Sequence, residues 1–463
     1  MNAKREHDVD VLVLGGGMAG LCAAVAALER GADVLVLEKA SRVGGSMFLS
    51  NGIIWTFVRQ EDVRAHVPDG DPALQDLLVA TLGESLDWLA SRGVKLEPHR
   101  EYLGYGHGRA ASPPQMTAAL IERIGALGGR VMPATALLTL LTRDGAVEGA
   151  LAFDRDGPVQ VRARSVVLAT GGFQGNPELL ARYVTPHASS VYLRANPCST
   201  GDGFLAALEA GAAATPWLDT FYGHAMTAPP ARFNAFQFQD MSHKYAPMAV
   251  ALNLHGLRFA DEAAGTGEEW LNWRIAREPR ATAAYVFDAA TAERAYDAGP
   301  LAKVVLERAR QAGGPVVQAD SLEALAKGMQ AWGLPAQQVI RTLRSYNAAV
   351  TAGEGHLLHP ARRANAFPVL RPPFSAALVR SAITFTCGGL RADLDMRVLR
   401  RATSVSTLPL VTADAAELQI GAIPNLYAAG SDVGGFSNES YMGGLAQALV
   451  TGRAAGTAAA QSA

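Results

Sequence analysis

Gly15, Gly17 and Gly20 stand at G-x-G-x-x-G spacing inside DVLVLGGGMAGLCAAVAALERGADVLVLEKA, and Glu38 follows 18 residues after the last of them. Residues of these types at this spacing bind phosphate and ribose. The first glycine permits a tight turn, the second lets a pyrophosphate approach the backbone, and the third lets a helix pack closely on a strand. A carboxylate at the end of the following strand can accept hydrogen bonds from ribose hydroxyls. Far along the chain, Tyr441 stands in SNESYMGGLAQALVTGR, where a helix pattern begins. The partner of that phenol must come from another part of the chain.

Strand, glycine turn, helix and strand are the elements needed to position the first set. The pattern predicts a helix from about Met18 to Arg30, aiming its N-terminal amides at the phosphates. A second glycine-rich loop, KASRVGGSMFLSNG (Lys39 to Gly52), follows so closely that a long ligand is expected to lie across the sheet. Further on, ARSVVLATGGFQGNPE reads as a buried strand (Val166 to Ala169) entering a Thr170-Gly171-Gly172 turn. In STGDGFLAALEAGAA, Asp202 either caps an alanine-rich helix or reaches the ligand.

Composition excludes several classes. At 463 residues, with 49% hydrophobic and 18% charged residues, the chain is globular and long enough for more than one folding unit. A net charge of -2 offers no basic field for nucleic acid. Cys22, Cys198 and Cys387 are scattered without metal-ligand spacing, which suits a reducing cytoplasm, so no metal is expected. The charged start MNAKREHDVD is not a secretory signal. Val11 to Leu28 is uncharged and long enough to cross a bilayer, but its three consecutive glycines and strand-like opening argue against a transmembrane segment.

With GGS…SNG, VVLATGGF, TGDG, NLHGLRFADE, PPFSAA…TCGGL and NLYAAGSDVGG…GG in order, nearly the whole chain resembles the FAD-dependent flavoproteins of the fumarate reductase and succinate dehydrogenase family, which includes the 3-ketosteroid dehydrogenases. The resemblance implies an α/β fold, a Rossmann-like FAD-binding domain with an inserted α+β cap. Its boundaries are expected at 1–222, 223–366 (cap) and 367–463, with Pro368, Pro372 and Pro373 as a hinge. It also implies FAD contacts from Gly15, Gly17, Met18, Ala19, Gly20, Glu38, Lys39, Gly45, Ser46, Ser50, Asn51, Gly52, Thr170, Gly171 and Asp202, with the backbone near Ala136 meeting adenine. Gly430, Ser431 and Leu445 complete the set, Ser431 standing where many relatives carry a ribityl-binding glutamate. No histidine stands in GGSMFLSNG, where some relatives attach the flavin, so noncovalent FAD is expected.

The residues that grip dicarboxylates in fumarate reducers are replaced. Gly267 stands where a proton-donating arginine is expected, Thr384 and Phe385 near a substrate-binding histidine, and Tyr441 in place of a carboxylate-clamping arginine. Phe385, Tyr441 and Gly444 are then expected to hold an apolar carbonyl compound. In the ketosteroid enzymes a tyrosine at this interval, with a nearby backbone N–H, bonds the carbonyl oxygen. By that likeness Tyr441 stabilises an enolate while hydride passes to flavin N5, making a C=C bond α,β to the carbonyl of a steroid-like or smaller cyclic ketone. The alternative is the reverse reaction, an ene-reductase of enones or enoates fed by an external donor. Tyr245 and Tyr222 are the expected bases, with Tyr105 and Tyr102 assisting; His224, His243 and His107 are the other candidates. An external electron acceptor or donor is required, since no C-x-x-C-H haem motif occurs.

Overall fold

The computed structural model describes residues 5–265, 267–295, 299–401 and 421–463. Its central element is an eight-stranded sheet. Across it run Arg397–Leu399, Ala422–Ala428, Gly157–Leu168, Arg5–Leu14, Val34–Leu37 and Arg130–Met132, while Ala136–Arg143 and Ala146–Asp154 extend from Gly157–Leu168 as a meander. The inner strands are parallel, with Leu12 opposite both Leu35 and Val166. Over Val11–Leu14, Val34–Leu37 and Val166–Leu168 they read as apolar runs because helices cover both faces.

Gly15 turns the chain at φ +112°, and a Cβ there would lie 2.1 Å from the Ala169 carbonyl oxygen. Helix Met18–Leu28 follows, and every one of its residues is buried. It can sink this deep because its partner, helix Gly444–Ser462, presents glycines: a Cβ at Gly452 would come 2.3 Å from the Ala19 carbonyl, and one at Gly456 2.1 Å from that of Ala23. This contact fixes where the second helix begins. Its N-cap, Gly443, has φ +100° and sits so tightly on strand Ile53–Phe57 that a Cβ would meet the Trp55 carbonyl at 1.8 Å. Thr56 Oγ1 donates to the Met442 carbonyl at 2.9 Å, pinning the same loop.

The cap is built on a second sheet, in which Phe374–Arg380 lies between Met226–Thr227 and Thr282–Phe287, with Val250–Leu252 and Val316–Ala319 alongside. Phe374–Arg380 lies after the expected boundary at 366/367. Phe374–Arg380 is a buried strand at the centre of the cap, and the chain returns to the flavin domain only at Ala382–Thr386. The two crossings pair with one another: Phe221–Tyr222 runs antiparallel to Phe385–Thr386, setting Tyr222 opposite Phe385. Among the described residues, no helix is long and apolar enough to cross a membrane.

Candidate active site

One cavity of about 470 Å³ runs from the glycine turn to the neck between the two units. Its nucleotide end is lined by Gly15, Gly17, Met18, Ala19, Glu38, Lys39, Gly45, Ser46, Ser50, Asn51, Thr170, Gly171 and Asp202, and further along by Gly430, Ser431 and Leu445. Three expected residues stand behind the wall. Gly20 backs the turn, where a Cβ would strike the Gly15 carbonyl; Gly52 packs on Ala111; and Ala136 lies between the lining residues Thr135 and Leu137. These three support the cradle rather than line it.

Glu38 is tied down more firmly than a ribose acceptor requires. Its Oε2 accepts from Gly16 N–H at 2.7 Å and its Oε1 from Ala40 N–H at 2.7 Å, leaving one lone pair on each oxygen for a ligand. Asp202 does not cap its helix. Gly201 holds the N-cap position, and the Asp202 carboxylate pairs with Lys39 Nζ at 2.8 Å. Asp432, which sequence reasoning missed, is fully buried and accepts from Thr170 Oγ1 at 2.9 Å and Gly172 N–H at 2.9 Å, latching the Thr-Gly-Gly turn to the returning chain.

The cradle suits a flavin dinucleotide. No atom lies nearer than 3.9 Å to a Cβ placed on Gly17, so the turn opens onto the cavity. Gln174 lines the same cavity, and its Oε1, buried and without a partner, is an acceptor of the kind an imide N–H requires.

At the neck, the Tyr222 and Tyr441 rings stack with centroids 3.8 Å apart. Phe385 lies 5.2 Å from Tyr222, and Trp55 meets Tyr441 edge-on at 5.5 Å. The Tyr441 hydroxyl accepts from Gly444 N–H at 3.1 Å, the first amide of the helix, so its own proton is free to be donated. Burial pushes its pKa up to about 12. The Tyr222 hydroxyl lies 2.8 Å from His224 Nε2; His224 Nδ1 bonds Glu268 Oε2, and Glu268 Oε1 accepts from Ala225 N–H at 2.7 Å.

Burial, and then the neighbouring Glu269, raise Glu268 well above the ordinary carboxylate range. Burial also holds His224 far below the ordinary imidazole value, with the charges of Arg194 and Lys244 acting in the same direction. Both directions favour the uncharged forms of the pair. With both groups uncharged, a carboxyl proton on Glu268 Oε2 can be donated to Nδ1, and an Nε2–H to the Tyr222 oxygen. Arg194, Lys244 and Glu269 also line this end, which is therefore more polar than the sequence led us to expect.

Two of the expected catalytic tyrosines stand elsewhere. Tyr245 is fully buried in the cap core, bonded to His243 Nδ1 at 2.9 Å, and burial raises its pKa steeply. His243 is held there too, between Tyr245 and Thr227, its pKa depressed to about 3 by burial. Tyr105 stacks on His66 at 4.4 Å and on Phe57 at 5.1 Å, outside the cavity, and burial pushes its pKa up to about 12. His107 pairs with His99 on the outer three-stranded sheet. Of the four expected catalytic tyrosines, Tyr222 and Tyr441 share the cavity; Tyr102, expected only to assist, also lines it, beside Trp55.

The model of the FAD binding domain matches residues 10–445. The chain belongs to that family. Its cofactor is FAD, and members it resembles are oxidoreductases acting on C=C or CH–CH groups. It is 27% identical to a probable fumarate reductase of Shewanella frigidimarina, over 97% of this chain and 74% of that protein. It is 25% identical to a vinyl phenol reductase of Lactiplantibacillus plantarum, over 100% and 98%. It spans about half the length of two other curated relatives. A 3-ketosteroid-Δ4-(5α)-dehydrogenase from Rhodococcus jostii superposes with TM-score 0.72 over 99% of this chain and 98% of that one; at 23% identity this is a likeness of fold.

Proposed function

We propose that this protein adds hydrogen across a C=C bond conjugated to a carbonyl, using electrons from an external donor. The observation that carries this reading is the hydrogen-bonded chain Tyr222–His224–Glu268, which leads from the cavity to a buried carboxyl group. The glycine turn and Glu38 would hold the pyrophosphate and ribose of FAD, and Gln174 the edge of its ring system. Bound and reduced, FAD would supply the hydride that the β carbon takes up. Tyr222 then gives its proton to the α carbon and is reprotonated by His224, which takes the proton of Glu268. The Tyr441 hydroxyl donates to the carbonyl oxygen while it carries enolate charge, an interaction worth roughly 10²–10³ in rate. Trp55, Phe385 and the two phenol rings hold a flat unsaturated substrate and exclude water.

The same residues serve the opposite direction, desaturation of a ketone, once Glu268 is ionised, because the enolate lies on both paths. The raised pKa of Glu268, which favours its protonated form, supports the reductive direction. Anaerobic mixing of the reduced holoenzyme with an enone, and of the oxidised holoenzyme with the matching saturated ketone, tests the direction. Flavin reoxidation by the enone is expected; bleaching by the ketone with no reoxidation by the enone would overturn it.

A further inference from the structure

Arg194 is only 6% exposed, yet it lacks the partner that a buried guanidinium requires. Its Nη1 donates to Thr384 Oγ1 at 3.0 Å, while Nε and Nη2 are buried and make no hydrogen bond. Among the described residues no carboxylate lies within 4 Å of it. Glu269, the acid that shares its cavity, is raised by burial toward its neutral form. A charge taken out of water without a counter-ion is costly, so the site is built for a group absent from the protein itself.

The backbone places this cation on the reacting side of the cavity. Arg194 N–H donates to the Ile383 carbonyl at 2.8 Å, Thr384 N–H donates to the Tyr222 carbonyl at 2.8 Å, and Phe385 lies opposite Tyr222. The guanidinium is thus tied through Thr384 to the strand pair that carries Tyr222 and Phe385. Lys244, half-buried on the same cavity, adds a second positive charge. Two free N–H groups of a guanidinium match the two oxygens of a carboxylate.

We infer that Arg194, supported by Lys244, is a specificity site for a carboxylate on the substrate, so that the preferred substrates are flat enoates rather than neutral ketones. This rests on the proposed function and names its substrate class. The site uses a cation that follows strand Tyr192–Leu193 in place of the arginine that Tyr441 replaces.

The test is binding to the oxidised holoenzyme, read from flavin absorbance, with cinnamate and its neutral isostere cinnamamide as probes. Cinnamate should bind at least 10-fold tighter, and the preference should collapse in Arg194→Met while cinnamamide affinity stays within about threefold. Arg194→Lys should retain part of the preference, which covers the case in which the methionine variant does not fold. Equal affinity for the two probes in the wild type would overturn the inference. So would an unchanged ratio in Arg194→Met, including one accompanied by an altered spectrum of the free holoenzyme, which would assign the guanidinium to the flavin. Turnover is scored separately: reduction of both probes with equal binding removes only the carboxylate site, whereas reduction of neither removes the proposed function.

Discussion

Two phenols 3.8 Å apart have different tasks because their hydroxyls have different partners. Tyr441 accepts a hydrogen bond from a helix N-terminal amide, which leaves its proton for a substrate oxygen. Tyr222 is fed by His224. Tyr441→Phe should therefore lower the reduction rate roughly 10²–10³-fold and leave FAD bound; an unchanged rate in single-turnover measurements would remove Tyr441 from the reaction.

Glu268 makes a pH prediction of definite sign. Its pKa is raised by burial and by Glu269, so the proton chain is loaded below that raised value and empties as pH rises through it. Reductive kcat should fall along that limb, beginning above the ordinary glutamate value of about 4.3. Glu268→Gln should lower kcat and abolish the limb, as read from pH profiles of the two proteins.

At the scale of elements, helix Gly444–Ser462 carries the site because its place is fixed by contact with helix Met18–Leu28. A leucine at Gly456 would drive a side chain into the Ala23 carbonyl, which a Cβ alone approaches to 2.1 Å. Gly456→Leu should cost about 1–3 kcal/mol by overpacking, with weaker FAD retention; urea unfolding followed by flavin fluorescence measures both. This nucleotide half was legible because its signals are local: glycine spacing, two apolar strands, and an acid at the end of the second. The proton chain was not. Tyr222 and His224 are two residues apart, but Glu268 is 44 residues beyond His224 and reaches it only through the folded cap. Tyr245 was misplaced for a related reason. Its spacing from the crossing strand says nothing about which core it enters, and the cap core took it.

At the scale of the whole molecule, the cap must hold its half of the neck rigidly. A buried network does this work. Glu262 accepts from Arg258 at 2.7 Å and from Arg362 at 2.9 Å, with Arg362 wholly enclosed. Removing the acid in Glu262→Ala leaves two buried cations unpaired and should cost about 3–5 kcal/mol, read as a lower denaturation midpoint of the cap with FAD still bound. The insertion of a cap was legible from the order of motifs, but its second boundary was not. The prolines before Phe374 look like a hinge, and nothing in FSAALVR says that it joins the cap sheet rather than the flavin sheet.

The central claim is that Tyr222 carries the proton. Reduced wild-type holoenzyme and its Tyr222→Phe variant, mixed anaerobically with the same enone in a stopped-flow instrument, test it most directly. The expected result is an enone affinity that changes little and flavin reoxidation slowed roughly 10²–10⁴-fold in the variant. Equal reoxidation rates in the two proteins would contradict the claim.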